Sequence, residues 1–359
     1  MKDQPSLPRV DVIYQAEQGL ESWISRSAKG EVPSHWPYGL HELSAWDASV
    51  SAHSVAQPGN ISKVLGRVVP ASVRSRAATG KEGRHIGITW DENAARRMLM
   101  LKPHREMFTG VIWLTDMLAS APSSYEGLVR TLRKMDGLWV LNRPQVDALR
   151  DLFGADGPPV SFVPFGIDAT FFAPQKYPDK PMVLSVGSDR HRDPETLFAA
   201  LRLVHARRPD AELLVQTRSE LPVPQGVTKI PSVPHSELRR LYARSSVVAV
   251  ATTPNLHASG MTVMLEAMAT ARPVVITRTV GMKDYLSEGE TGLFSRPEDP
   301  EQMSERILEL LNDPTRADQM GQRGRKVLEA KFTTTRMAHS IAELMDLGRP
   351  ATHALPPTL

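Results

Sequence analysis

The sequence predicts an α/β protein made of two doubly wound parallel sheets, and three observations predict it. Short β-branched runs alternate with amphipathic helical runs along the chain, the pattern of strand–helix–strand units. At 359 residues the chain exceeds one ordinary core and fits two. A break rich in proline (Pro164, Pro174, Pro178 and Pro181) falls between Val163 and Pro181. The expected division is 1–165 and 175–334, with a last helix near 335–350 packing back on the first half.

In the first half, Val10–Tyr14, Ile86–Trp90, Gly110–Leu114 and Leu138–Leu141 read as strands, the last three each followed by a helical stretch or polar turn. After the break, Val183–Val186 reads as a strand ending at Gly187. Pro194–Arg208 reads as a helix with Leu197, Leu201 and Val204 on one stripe. Leu213–Gln216, Val247–Ala251 and Val274–Thr277 are further strands. Met261–Thr270, Pro300–Leu311 and Arg316–Phe332 are the helices between or after them. This half is Rossmann-like, and such sheets bind ligands beyond the C-terminal ends of their strands.

Hydrophobic content of 41% and charged content of 23% are those of a folded globular chain. With no cysteine, disulfides, thiolate zinc sites and a cysteine nucleophile are excluded. A net charge of +3 gives no argument for nucleic acid. Basic residues nevertheless cluster at Lys63, Arg67, Arg74, Arg76, Lys81 and Arg84 against Glu82. This stretch reads either as a solvated loop or as a docking segment for an anionic acceptor or a membrane surface. No apolar run reaches the roughly 20 residues of a membrane span. The N-terminus lacks the apolar core of a secretion signal. A soluble, cytoplasmic protein is expected, touching at most the inner face of a membrane.

Two strand ends look equipped for a phosphate. Gly187 lets backbone approach a ligand closely, and Arg190 and Arg192 follow within five residues. Alternatively, these arginines pair with Asp189 or Asp193. Further on, Ser259 or Gly260 can cap a helix starting near Met261, whose free amides attract an anion. Glu266, inside that helix, can accept hydroxyl hydrogen bonds from a ribose or a sugar.

The run Thr253–Asp299, TPNLHASGMTVMLEAMATARPVVITRTVGMKDYLSEGETGLFSRPED, resembles the donor-binding signature of the retaining GT-B glycosyltransferases of family 4. FVPFGID resembles that family's linker, VLSVGSDRHRDPETLFAAL its phosphate loop, and VPHSELRRLYARSSVVAVATT the helix and strand framing its base pocket. The resemblance spans about 170 residues, Phe162–Phe332. It implies the GT-B fold, two Rossmann-like domains facing across a cleft. It also implies transfer of a sugar from a UDP-, GDP- or dTDP-linked donor to a hydroxyl acceptor, with retention and with neither metal nor other cofactor.

By the same resemblance, Gly187 and Arg192, with Arg190, take the diphosphate. Met261, Thr262 and Val263 meet it through backbone amides, Glu266 holds the ribose, and Ser232 and Val233 line the base. Two positions depart from the pattern. Ala258 stands where the family has a first glutamate, so His257 and Ser259 are candidates for its contacts, and Ala271 replaces a glycine. In the first half, GRHIGITWDENAARRML and FTGVIWLTDMLAS sit where the family has strands bearing a histidine, with Thr115 and Asp116 at its position. Asp91, Glu92 and Asp116 are each read as able to orient the acceptor hydroxyl, and Asp91 and Asp116 alternatively as helix caps. Tyr38, Gly39 and His41, in SHWPYGLHELSAW, are candidates for acceptor binding, and Trp36 and Trp46 for packing. A catalytically silent nucleotide-sugar-binding partner, and a GT-B epimerase or hydrolase, are the competing functions.

Overall fold

A computed structural model describes residues 7–56, 83–99, 101 and 104–348. Tertiary contacts divide them into two compact units. One holds the residues up to Arg26, His35–Pro164 and those from Met337 on; the other holds Ser27–Ser34 and Phe165–Arg336.

The first unit carries β1 (Arg9–Gln15), α1 (Leu20–Ala28, its last residues in the second unit), β2 (Ser49–Val55), β3 (His85–Thr89), α2 (Glu92–Met98) and β4 (Glu106–Gly110). Next come α3 (Leu114–Ser120), α4 (Glu126–Leu132), β5 (Gly137–Val140), α5 (Arg143–Phe153) and β6 (Val160–Phe162). Its sheet is parallel throughout, in the order β2-β1-β3-β4-β5-β6. Ile13, Leu114, Leu138, Val140 and Leu149 belong to its core, and every residue of β5 is buried. Burial on both faces is what a sheet covered by crossover helices requires.

The second unit carries β7 (Met182–Ser185), α6 (Pro194–Arg207), β8 (Glu212–Gln216), β9 (Val227–Ile230), α7 (His235–Arg244), β10 (Val247–Val250) and α8 (Met261–Ala269). It continues through β11 (Val274–Thr277), β12 (Leu293–Ser295), α9 (Pro300–Asn312) and α10 (Pro314–Lys331). Helix α11 (Thr334–Leu344) starts there and ends in the first unit. The second sheet, again parallel, runs β12-β11-β10-β7-β8-β9. Asp193, Asp299 and Asp313 each accept an amide proton of the first turn of α6, α9 and α10, and a proline follows each as the first helical residue.

Each chain path reverses direction once across its sheet, between β1 and β3 in the first and between β7 and β10 in the second. At such a switch point the loops leaving two neighbouring strands part in opposite directions and open a crevice.

One predicted strand is displaced. Gly110–Leu114 is not a strand: β4 ends at Gly110 and Leu114 opens α3. The amides of Ile112 and Trp113 donate to the Glu92 carboxylate at 2.9 and 2.7 Å, which turns the chain out of the sheet. The basic stretch lies outside the described residues except at Arg84. That side chain is occupied: it forks onto Glu106 and donates to the carbonyls of Met345 and Asp346.

Candidate functional site

The equipped switch point is that of the second unit. Strand β7 is buried throughout and delivers the chain into the loop from Val186 to Asp193. Gly187 has φ +105°, and a methyl group there would collide with the Arg192 guanidinium. On the neighbouring strand, β10 leads to the loop ending at Gly260, the N-cap of α8, with φ +91°. A Cβ at Gly260 would lie 3.2 Å from Arg192 Nη1 and 2.7 Å from Val250. The guanidinium is therefore seated between two glycines that only a bare backbone leaves room for.

Arg192 is costly where it sits. Its Nε is buried without a hydrogen-bond partner among the described residues, and burial pulls its pKa below the ordinary arginine value despite the nearby Asp189 charge. Gly260 also offers no side-chain cap to α8. A helix start without a capping side chain and a buried cation thus meet at one point, the combination that attracts a doubly charged phosphate group.

Ser259 does not cap the helix as expected. Its hydroxyl donates to Asp189 Oδ1 at 2.7 Å, and its amide donates to Asn255 Oδ1 at 2.9 Å. Asp189 also accepts the His191 amide at 2.9 Å and faces His257 Nε2 at 3.3 Å. Burial opposes its charge, but His257, Ser259 and that amide hold the carboxyl well below the usual carboxylate range. Asp189 thus pins the β7 loop to the loop preceding α8. Asp193, the other residue expected to pair with the arginines, is taken up as the α6 cap. The His191 and His257 rings lie 4.8 Å apart, tilted at 47° to each other, beside Asp189.

Glu266 lies 6% exposed on α8 and accepts the Tyr242 hydroxyl at 2.8 Å from α7. Burial pushes its carboxyl up to about 7, against the opposing pull of Tyr242 and Arg192. Around it, α8 is buried at every position but Thr262. Arg272, fully buried just beyond, donates to the carbonyls of Tyr242, Ala243, Gln175 and Lys176, fixing α7 and the linker beside α8. The two substituted positions, Ala258 and Ala271, both adopt left-handed backbone, with φ +58° and +57°.

Not every expected donor residue joins this group. Arg190 is exposed. Ser232 is exposed and Val233 half-buried on the connection from β9 to α7. Sequence reasoning missed Tyr242 and the anchoring role of Asp189. The first sits 24 residues from its partner, and the second was read only against its sequence neighbours.

At the first unit's switch point, Asp91 caps α2 through the amides of Asn93 and Ala94 and accepts Gln15 Nε2 at 3.3 Å. Glu92 is fully buried, both of its oxygens taken by backbone amides, and burial pushes it up to about 7. These bonds make it a structural clamp. Tyr38 and Gly39 occupy left-handed backbone, and the Tyr38 ring stacks on Trp90 at 4.1 Å. Burial and the Asp91 charge push its hydroxyl up to about 12. Tyr14 donates to the Pro37 carbonyl and holds that loop in place. His41 packs against His35 and Trp36; Asp116 is half-buried in the first turn of α3; Trp46 is buried beside His339.

The same switch-point segments recur in known proteins. Residues 166–327 match the family model of glycosyl transferases group 1. Among curated proteins, the chain is 24% identical over 251 residues to a GDP-mannose-dependent monoacylated alpha-(1-6)-phosphatidylinositol monomannoside mannosyltransferase of Corynebacterium glutamicum, covering 62% of this chain and 65% of that one. It is 27% identical over 237 residues to a D-inositol 3-phosphate glycosyltransferase of Nocardia farcinica, covering 57% of this chain and 51% of that one. The match thus spans between half and two thirds of those relatives. Among solved structures, sucrose-phosphate synthase of Thermosynechococcus elongatus superposes with TM-score 0.64 at 18% identity, over 94% of this chain and 98% of that one. HepE of Anabaena, solved with UDP and glucose, superposes with TM-score 0.67 at 12% identity, over 96% of this chain and all of that one. The two six-stranded parallel sheets are those of the GT-B fold. Among the described residues, no helix is long and apolar enough to cross a membrane.

Proposed function

We propose that the chain is a glycosyltransferase, moving a hexose-type sugar from a nucleoside diphosphate donor to a hydroxyl of a small-molecule, glycan or lipid acceptor. The observation that carries this reading is the Arg192 guanidinium seated between Gly187 and the uncapped start of α8. As the glycosidic bond breaks, negative charge grows on the diphosphate. Arg192 and the amides of Thr262 and Val263 stabilise it there without reorganising; the Met261 amide, expected beside them, is taken by the Ala258 carbonyl at 3.1 Å. Glu266, oriented by Tyr242, accepts the ribose hydroxyls. Retention and metal independence are part of the proposal. They rest on the family resemblance. UDP, GDP and dTDP donors all fit this chemistry. The acceptor side is assigned to Tyr38, Gly39, His41, Asp91 and Asp116, and His257 to the transferred sugar.

Ala258 supports a second reading, a catalytically silent binder of nucleotide sugars, because no carboxylate stands at that position. A panel of nucleotide sugars with hydroxyl acceptors separates the two. Product with the anomeric configuration of the donor, in buffer containing a chelator, supports the proposal. Donor binding without turnover across the panel favours the silent protein, and rapid donor hydrolysis without acceptor favours a hydrolase.

A further inference from the structure

The first unit contains a second constellation, at the opposite end of its strands from Asp91. Asp11, the third residue of β1, gathers three histidines from three other segments. His85 Nε2 lies 2.7 Å and His104 Nε2 3.3 Å from its Oδ2, and His53 Nε2 lies 3.2 Å from its Oδ1. Sheet register explains the meeting. Asp11 stands opposite Ser51 on β2 and Gly87 on β3, and His53 and His85 are each two residues away, so all face one side of the sheet. His104, in the turn entering β4, lies over Gly87. A Cβ there would come within 2.8 Å of the ring's Cγ and Nδ1. Only glycine at that position admits the imidazole.

Three imidazole nitrogens converging on one carboxylate form a ligand set as well as a hydrogen-bond cluster. A tetrahedral zinc ion, about 2.0–2.1 Å from each ligand, spaces ligand atoms about 3.3 Å apart. On the shared oxygen, Asp11 Oδ2, His104 stands at 3.3 Å and His85 at 2.7 Å, and these three ligand atoms lie within 4.8 Å of one another; His53 stands on the other oxygen, Oδ1, at 3.2 Å and reaches the fourth position by rotating its side chain. His85 and His53 are partly exposed and free to adjust, whereas His104 and Asp11 are buried and fixed. Arg9 and Ser51 donate to Oδ1 and leave Oδ2 to the histidines His85 and His104. Three imidazoles and one carboxylate lie within zinc's ligand range, and a four-ligand set suits its tetrahedral preference better than the octahedral, oxygen-rich demand of magnesium, calcium or manganese.

We propose that Asp11, His85 and His104, with His53 in the fourth position, bind a zinc(II) ion that ties β1, β2, β3 and the entry to β4 together. The site is structural and separate from the proposed chemistry. A second histidine–aspartate group, Asp189, His191 and His257, lies in the donor site and serves as the internal control.

The full-length chain, stripped with chelator and then offered zinc chloride, is assayed for metal content after gel filtration and for its melting temperature. About one zinc per chain is expected, with a raised melting temperature. His85→Ala and His53→Ala, at partly exposed positions where folding should survive, are expected to lose at least tenfold in zinc affinity. His257→Ala is expected to retain the ion. Absence of both retained zinc and a thermal shift overturns the proposal, as does retention in His85→Ala with loss in His257→Ala.

Discussion

Glu266 links the donor site to pH. Its carboxyl is pushed up to about 7 in the fold, from an ordinary value of 4.5, and a carboxylate is needed to accept ribose hydroxyls. With a pKa near 7, about one molecule in eleven is ionised at pH 6 and about ten in eleven at pH 8. Donor affinity should therefore rise about tenfold between those pH values, about 1.4 kcal/mol. Stability runs the other way. A carboxyl raised on folding costs nothing below about pH 4.5, where both states are protonated. Between about pH 4.5 and 7 the unfolded chain ionises first and stability falls by about 3 kcal/mol in all, remaining level above. Glu266→Gln should abolish the affinity slope and stabilise the chain at pH 8, since Tyr242 can still donate to the amide oxygen. Calorimetric titration with a nucleotide sugar, whose diphosphate diester does not itself titrate here, measures the slope. A wild-type affinity flat from pH 6 to 8, or a slope persisting in Glu266→Gln, refutes the reasoning.

Three further outcomes are expected. Arg272→Leu strands the buried Tyr242 carbonyl and removes the part-buried bonds to Ala243, Gln175 and Lys176, and should cost about 2–4 kcal/mol, read as a fall of roughly 5 °C or more in melting temperature; a change under about 2 °C contradicts it. Gly321→Ala drives a methyl group into the Ala271 carbonyl where α10 meets the end of α8, and should destabilise by about 1–3 kcal/mol in denaturant titration; neutrality would mean the contact relaxes freely. Gly187→Ala combines a collision with Arg192 and a φ of +105°, so donor affinity should fall at least tenfold while circular dichroism is unchanged; undiminished affinity would remove the loop from the site.

Much of this was legible in the sequence because the buried strands of the second unit, VVAV and VVIT, are continuous apolar runs, and because glycines and arginines sit at their ends. The edge strands were not legible. Strand β2, SVSAHSV, is half-polar, β9 is largely exposed, and β6 and β12 have three residues each. The run FTGVIWL hid a strand end because hydrophobicity continues from β4 into α3, and only the distant Glu92 breaks it. In the site, the residue types that approach phosphate announced themselves. The pairings did not: Asp189 with Ser259 and Glu266 with Tyr242 depend on which strands lie side by side. The cluster around Asp11 escaped for the same reason, since its members are scattered from residue 11 to residue 104 and only the parallel register joins them.

The most direct test compares a nucleoside diphosphate with its nucleoside on the wild type and on Arg192→Met. Removing the guanidinium should weaken the diphosphate by roughly 10–100-fold, about 1.5–3 kcal/mol for a charge-assisted contact, while leaving the nucleoside essentially unchanged and the melting temperature of the free chain no lower. Equal losses for both ligands, or undiminished diphosphate binding, would contradict the assignment of this crevice to a diphosphate.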